Sequence, residues 1–275
     1  MYMKIFNANI FSKSNIFVVV SFVLVLCIFG YFYTDTILSL PLFGDATIHG
    51  LITKKIITQG IFNTDASYPP LYNLIQLVLF KIFGEVGMNL MTLLGLLLLV
   101  IATYLYTYEL IRNHFLSLIS IILVLASPKI IFYSSRMYME IFLSAMLVFS
   151  IYQLVKYLKF RDKKSIIVLG VLVGLTAATK QQGLMILFTS IFVFLSGLYT
   201  LEYIKFRDVS VYKHLLLFLL FFSIIATPAY FYLYKNAGQL VPGGGEFKLL
   251  ALIDRFGRYV SDYNTGEDIA ITPDG

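Results

Sequence analysis

The chain has 275 residues, of which 59% are hydrophobic and 13% are charged, and its mean hydropathy is +0.84. Soluble domains carry about a quarter charged residues, so this composition excludes a soluble globular protein and indicates an all-α polytopic membrane protein. The net charge of +6 does not indicate nucleic-acid binding, because lysine and arginine cluster in short gaps between apolar segments, where the positive-inside rule accounts for them.

Seven apolar segments are long enough to cross the lipid bilayer as helices, which need about 20 residues each. They lie at 16–33, 88–110, 115–133, 138–158, 165–179, 184–199 and 212–234. The first follows basic residues but lacks a small-x-small cleavage site, so we interpret it as an uncleaved span. An eighth segment, Leu71–Phe83, is shorter, and its length suits an interfacial or re-entrant helix better than a full span.

The basic gaps between these segments predict the orientation. If the N-terminus is cytoplasmic and Leu71–Phe83 does not cross, the basic gaps all lie on the cytoplasmic side, at 112–114, 156–164 and 205–213. This is the arrangement that the positive-inside rule favours. If Leu71–Phe83 crossed, every later gap would change sides and the bias would reverse. We therefore predict seven transmembrane helices.

This topology predicts a transmembrane module at residues 1–234, with juxtamembrane helices in an outer loop at 34–87 that carries the candidate site. Residues 235–275 would form an outer-face C-terminal segment, which we interpret as an interrupted ectodomain or a truncated product. The predicted location is the cytoplasmic membrane, with the active face outward. The sequence predicts no oligomeric state.

The outer loop contains a helical pattern that Gly60 closes. Apolar residues recur there at spacings of three and four, at Ile48, Leu51, Ile52 and Ile56. Such spacing predicts an amphipathic helix that lies on the membrane surface with these residues on its apolar face.

Asp45 stands at the start of this predicted helix, directly after Gly44. It is either an N-cap, whose carboxylate accepts hydrogen bonds from the first turn, or a residue that takes part in catalysis. His49 lies four residues further on, so both side chains share one helix face and are candidates to hold a divalent metal ion or a proton. The alternative for His49 is a plain polar contact.

A Tyr-Pro-Pro-Leu motif at 68–71 precedes the short apolar segment. The residue before a proline avoids the α region, and proline is tolerated at the first position of a helix. The motif is therefore a structural turn, or a rigid turn that holds Tyr68 against the helix of Asp45.

Three more ionisable residues lie on the predicted outer face. Arg136 and Glu140 are four residues apart at the start of a span, where they form either an intrahelical ion pair or a functional site of the kind that charges at membrane depth mark. Lys180 lies in the turn between two short spans. It either extends its ammonium to the interface or contacts a phosphate.

The order of these features resembles the GT-C superfamily of membrane glycosyltransferases. The closest resemblance is to the branch of protein O-mannosyltransferases and aminoarabinose transferases. It rests on Gly44-Asp45 after a first span, the Tyr-Pro-Pro-Leu motif before an apolar helix that ends at Phe83-Gly84, Arg136 and Glu140 opening a span, and the Gly-Leu and Thr-Lys pairs of residues 174–180.

The resemblance implies an inverting glycosyltransferase that uses a polyprenyl-phosphate-linked sugar donor and a protein, lipid or glycan acceptor. Asp45 matches the first-loop acidic residue, which acts as general base or helps to bind a metal ion such as Mg²⁺ or Mn²⁺, with His49 as the candidate second ligand. Glu140 matches the second acidic position and, with Tyr68, is a candidate substrate contact. Arg136 and Lys180 are the candidate contacts of the donor phosphate.

The chain departs from the family pattern at two positions. Ala46 follows Asp45 where many relatives have a second acidic residue, and Tyr68 stands where His or Lys often precedes the prolines. Two other functions therefore stay open. One is a lipid-carrier-binding or transporter-like protein, which would bind without turnover. The other is an inactive partner subunit, in which Asp45→Asn would have no effect.

Overall fold

The structure is a computed structural model that describes residues 45–61, 68–135, 138–200 and 209–237. It also describes five isolated helical residues of the first predicted span: Val20, Val23, Leu24, Cys27 and Tyr31. The rest of that span and the C-terminal segment beyond Ala237 lie outside the described residues. Every regular element in the described ranges is helical, which confirms the predicted all-α class.

Nine α-helices follow one another in the described ranges. They are α1 (Asp45–Gln59), α2 (Leu71–Phe83), α3 (Glu85–Ile111), α4 (His114–Leu125), α5 (Pro128–Ser135), α6 (Glu140–Phe160), α7 (Lys163–Thr179), α8 (Leu184–Thr200) and α9 (Val209–Ala237). A 3₁₀ turn, Gln181–Gly183, joins α7 to α8.

Three of these helices are long and apolar enough to cross a membrane: α3, α6, and α9 over Tyr212–Asn236. A fourth candidate is the pair α4 and α5, which together have the necessary length but bend by 61° at the break between them. The helices α7 and α8 have 17 residues each, or about 26 Å, which is shorter than the hydrocarbon core of a typical bilayer. The predicted count of seven spans is therefore not confirmed.

The helix α2 has the bounds that the sequence predicts. Its 13 residues give a length of about 20 Å, well short of a full span. It packs between α1 and α3. The turn from α2 into α3 passes through Gly84, whose φ of 65° is a conformation that glycine adopts without strain.

The helix α1 begins at Asp45 and ends before Gly60, as predicted, and the face that it turns towards α2 mixes apolar and polar residues. Ile52 and Ile56 are buried, whereas Ile48 and Leu51 are 48% and 55% exposed. The polar side chains of His49 and Thr53 are buried in their place, because α2 offers them hydrogen-bond partners. The predicted position of the apolar face on the membrane surface stays a prediction.

The two ends of the helix bundle differ in chemistry. At one end, Glu109 of α3 accepts a hydrogen bond from Lys159 of α6 at 3.0 Å and pairs with Arg112. We call this the basic end, because Arg161 and the lysines that open α7 also lie there. At the other end, which we call the site end, the start of α6 meets the end of α7. The basic gaps around 112 and 160 thus share one end, as the orientation argument requires.

Small residues let α7 and α9 approach closely. A Cβ atom at Gly170 would lie 2.6 Å from the carbonyl oxygen of Phe218, and one at Gly174 would lie 2.8 Å from the Cβ of Ile225. Side chains at these two positions would therefore push the helices apart. Close helix contacts of this kind supply much of the packing energy of membrane bundles.

Candidate functional site

An ion pair between Lys180 and Glu140 lies at the centre of the site end. The Nζ atom of Lys180 is 2.5 Å from Oε1 of Glu140. Lys180 is only 9% exposed, and the side chain of Glu140 is 28% exposed. Glu140 is the first residue of α6, and the positive end of the helix dipole stabilises a carboxylate there. The pair is thus a charged group that is largely shielded from solvent.

The backbone after α7 places Lys180 at this position. Thr179 is the last helical residue, and Lys180 is extended, with φ of −152° and ψ of 148°. The chain then reverses in a single turn, in which the N–H of Gly183 donates to the carbonyl oxygen of Lys180 at 2.8 Å. A Cβ atom at Gly183 would lie 2.2 Å from the carbonyl oxygen of Thr176, so only glycine permits this tight reversal.

The ring of Tyr68 lies beside the ammonium group of Lys180. The Nζ atom is 5.7 Å from the ring centroid, a distance at which a cation is attracted to an aromatic face. Pro69 and Pro70 are buried directly after Tyr68 and restrict the chain before α2. The Tyr-Pro-Pro turn thus holds an aromatic ring over the buried lysine.

His49 lies in a pocket of aromatic and amide groups. Its ring centroid is 5.2 Å from that of Tyr68 and 5.1 Å from that of Tyr72. Its Nδ1 atom donates a hydrogen bond to Oδ1 of Asn73 at 3.1 Å. An amide oxygen can only accept, so the proton of this bond belongs to Nδ1. One turn further along, Thr53 donates to a side-chain amide oxygen of α2.

Tyr72 connects this aromatic pocket to the ion pair. The side chain is 1% exposed, and its ring centroid is 6.3 Å from that of Phe142 in α6. Burial, and secondarily the negative charge of Glu140, raises the pKa of the Tyr72 phenol above its ordinary value. A neutral phenol therefore lies in the wall between His49 and the ion pair.

The structure brings four of the predicted site residues to one place: Tyr68, His49, Glu140 and Lys180. Asp45 begins α1, four residues before His49, and the structure describes its backbone but not its side chain. Its predicted role, and those of the other site residues, stay predictions.

Arg136 lies outside the described residues. The helix α6 begins only at Glu140, and the described ion-pair partner of Glu140 is Lys180. Lys180 is therefore the basic partner that the structure shows for Glu140, the predicted second acidic residue. A pair 40 residues apart in sequence is set by the packing of α6 against α7, which no local pattern encodes.

Sequence reasoning missed the polar residues of α2 that face α1. Asn73 bonds His49, and Gln76 accepts a hydrogen bond from Thr53 at 2.8 Å. A signal for them existed, because two buried amides three residues apart in an apolar helix match two polar residues four residues apart in α1. The pairing predicts a helix contact more directly than the apolar stripe does.

The described residues offer no ready set of metal ligands. Within the described ranges, no group of three or more His, Cys, Asp and Glu side chains is placed to hold a metal ion. His49 is buried, and its Nδ1 is engaged by Asn73. The Mg²⁺ or Mn²⁺ ion with Asp45 and His49 as ligands stays a prediction, and we derive no reaction step through it.

An apolar groove opens next to the end of α7. Its volume is about 380 Å³, and it lies between the start of α8 and the C-terminal half of α9. The hydroxyl of Tyr230 in its wall donates to the carbonyl oxygen of Ala177, near the end of α7, at 3.4 Å. The lining residues are Leu184, Phe222, Ala226, Thr227, Tyr230, Phe231 and Tyr234. The groove thus lies next to the end of α7, the helix that Lys180 directly follows.

Residues 49–239 match the family model described as dolichyl-phosphate-mannose-protein mannosyltransferase. The matched range contains His49, Tyr68, Glu140 and Lys180 and begins four residues after Asp45. No curated protein and no solved structure matches the chain.

Proposed function

We propose that this chain, which belongs to the dolichyl-phosphate-mannose-protein mannosyltransferase family, is a glycosyltransferase that uses a lipid-linked sugar donor. The reaction we propose moves a sugar from a polyprenyl-phosphate carrier to a protein, lipid or glycan acceptor. We place it at the outer face of the cytoplasmic membrane. The observation that carries this proposal is the shielded ion pair of Lys180 and Glu140, and an apolar groove next to the end of α7 supports it.

The geometry of the ion pair supports a role for Lys180 as the phosphate contact. Electrostatic interactions strengthen where water is excluded, and Lys180 is nearly buried. Its ammonium is a compact charge that suits a phosphate oxygen. Leu184, four residues after Lys180, lines the groove between α8 and α9, and this groove is our candidate path for the first isoprene units of the carrier's tail.

The reaction we propose is a single displacement. The acceptor oxygen attacks the anomeric carbon from the side opposite to the phosphate. The bond between that carbon and the phosphate oxygen breaks, and its electron pair stays on the phosphate. Inversion at the anomeric carbon follows from this geometry. Lys180 would stabilise the charge that develops on the leaving phosphate.

Asp45 is our candidate for the general base that takes the acceptor proton. Its backbone lies at the start of α1, one helical turn before the buried His49. Asp45 is therefore on the same helix as His49, whose ring packs against Tyr68 and Tyr72. General-base help of this kind contributes roughly 10²–10⁴-fold to a rate. Neutralising the carboxylate should therefore remove most of the turnover and leave donor binding intact.

The test is a transfer assay in proteoliposomes that contain polyprenyl-phosphate sugars, with loss of the donor as the readout. We expect wild type to consume a donor and Asp45→Asn to lose roughly 10²-fold or more of the rate. The matched control is Asp65→Asn, a second aspartate of the same loop, which should keep the wild-type rate. Donor binding by both variants is measured in parallel.

Other outcomes point to the remaining functions. Full activity of Asp45→Asn would exclude Asp45 as the base. Binding of the carrier by wild type without turnover would favour a lipid-carrier-binding or transporter-like protein. Neither binding nor turnover in the isolated chain, with turnover only beside a second subunit, would favour the partner-subunit function. A chelator titration in the same assay tests the predicted metal ion.

A further inference from the structure

We infer that Glu140 competes with the carrier phosphate for the ammonium group of Lys180 and thereby promotes release of the spent carrier. The inference rests on the proposed function, because it assigns the carrier phosphate to Lys180. It gives Glu140 a role in discriminating between two phosphate groups. In that role Glu140 ligates neither the sugar nor a metal ion.

The surroundings of Lys180 leave a phosphate little choice of approach. One side of the ammonium group meets Oε1 of Glu140 at 2.5 Å, and the ring of Tyr68 lies on another side. An ammonium has three donors, so a further acceptor has room. Because Lys180 is nearly buried, a phosphate that reaches it comes within a few ångströms of the Glu140 carboxylate.

The carboxylate of Glu140 is held close to this position. It is the first residue of α6, where the helix dipole favours a negative charge. The buried ring of Tyr72 lies close enough for the charge of Glu140 to act on its phenol. A phosphate at Lys180 would therefore meet a fixed like charge as well as the attraction of the lysine.

The phosphate groups of the donor and of the spent carrier carry different charges, and interactions with Lys180 and Glu140 depend on that charge. The sugar-linked carrier is a phosphodiester with a single negative charge. The spent carrier is a phosphomonoester, whose charge near pH 7 is about −1.5 to −2. Lys180 alone would hold the spent carrier more tightly than the donor. Repulsion by Glu140 also grows with the charge of the phosphate, so it weakens the product complex more than the donor complex.

A second ion pair supplies a matched control. Lys54 and Glu85 lie 2.7 Å apart, with side chains that are 50% and 67% exposed. Solvent and salt screen such exposed pairs. Glu85→Gln therefore makes the same chemical change as Glu140→Gln at a pair that the inference does not involve.

The experiment measures the affinity of farnesyl phosphate for the detergent-solubilised full chain by calorimetry at pH 8, where the probe is a dianion. We expect Glu140→Gln to bind it about tenfold more tightly than wild type, and to bind the methyl diester of farnesyl phosphate with a smaller gain. Lys180→Gln should weaken binding, and adding Glu140→Gln to Lys180→Gln should give a smaller gain than in the wild-type background, because only the direct repulsion is then relieved. Glu85→Gln should behave as wild type.

Unchanged or weaker binding by Glu140→Gln overturns the inference, and so does a gain that is equally large without Lys180. An equal gain for the monoester and the diester overturns the discrimination between product and donor. If the amide is not tolerated at the start of α6, Glu140→Ser gives the same test with a residue that helix starts favour.

The donor-consumption assay separates the two proposals. If wild type consumes donor but Glu140→Gln gains no affinity for farnesyl phosphate, the competition is contradicted and the transferase function is still supported. Conversely, if wild type consumes no donor and Glu140→Gln still gains affinity for farnesyl phosphate, the competition at Lys180 is supported and the transferase function is contradicted. In an active chain we also expect Glu140→Gln to lower kcat and KM together, because product release slows.

Discussion

At the scale of single residues, Tyr68 shows how a substitution within a family pattern changes the chemistry of a site. Many relatives of the branch that the sequence resembles carry His or Lys before the two prolines. Here a neutral ring stands 5.7 Å from the ammonium of Lys180. A second cation at this place would repel the lysine, whereas the ring attracts it. The ring thus supports a single concentrated positive charge.

The ring of Tyr68, rather than its hydroxyl, should carry this effect. We expect Tyr68→Phe to keep the wild-type KM for the donor, and Tyr68→Leu to raise it roughly two- to fivefold, as the loss of about 0.5–1 kcal/mol of cation–π attraction predicts. Steady-state donor kinetics of the two variants measure the difference. A larger effect of Tyr68→Phe than of Tyr68→Leu would assign the function to the hydroxyl instead.

At the scale of elements, polar contacts hold α1 on α2. The two side-chain hydrogen bonds of this interface, from His49 to Asn73 and from Thr53 to Gln76, are buried. Buried polar groups without partners are costly, so such contacts specify one register of the two helices. The register in turn sets where the start of α1, and with it Asp45, lies relative to Tyr68.

Replacing one partner of such a hydrogen bond should destabilise the protein more than replacing both partners, because a single replacement leaves a buried polar group unpaired. We expect Asn73→Leu to destabilise the protein by about 1–3 kcal/mol, because the buried Nδ1–H of His49 loses its acceptor. The double variant His49→Phe/Asn73→Leu should recover part of that loss. Thermal unfolding in detergent measures both, and a double variant that is less stable than the sum of its single changes would contradict the interpretation.

The sequence predicted those features of the elements that depend on local chemistry. The bounds of α2 and the glycine that closes α1 follow from backbone rules. The inward face of α1 did not follow, because the partners of His49 and Thr53 lie on another helix. The span count also went unconfirmed, since helices of 17 residues are too short to decide by length.

The same division applies to the site. Tyr68, Glu140 and Lys180 were each singled out from the sequence, and orientation placed them on one face. Their contact was not predictable, because it depends on how α6 and α7 pack against each other. The sequence offered Arg136 as the partner of Glu140, at helical spacing. Arg136 lies outside the described residues, and the described structure pairs Glu140 with Lys180, which directly follows α7.

At the scale of the whole molecule, the contacts at the two ends of the bent pair α4 and α5 show which end of the bundle each helix reaches. The hydroxyl of Tyr104 in α3 lies 2.7 Å from Nδ1 of His114, which opens α4 at the basic end. At the other end of the bent pair, the N–H of Tyr138 donates to the carbonyl oxygen of Tyr133 in α5, next to the start of α6. The pair α4 and α5 therefore runs from the basic end to the site end.

This path predicts that Lys54 and Lys163 lie on opposite sides of the membrane. Three crossings separate them if α2 does not cross: α3, the bent pair and α6. Both residues are exposed, so each is a suitable position for a labelled cysteine once the native Cys27 is replaced by serine. With an impermeant maleimide on intact cells, we expect Lys54→Cys to react from outside and Lys163→Cys to react only after permeabilisation.

The labelling pattern distinguishes three topologies. If α2 crossed the membrane, four crossings would separate the two cysteines, and both would react from the same side. If the whole chain were inverted, Lys163→Cys would react from outside and Lys54→Cys would not. That result would place Tyr68, Glu140 and Lys180 on the cytoplasmic side and contradict the outward-facing site. The expected pattern requires the basic end to face the cytoplasm, where the positive-inside rule favours the lysine and arginine residues that lie there.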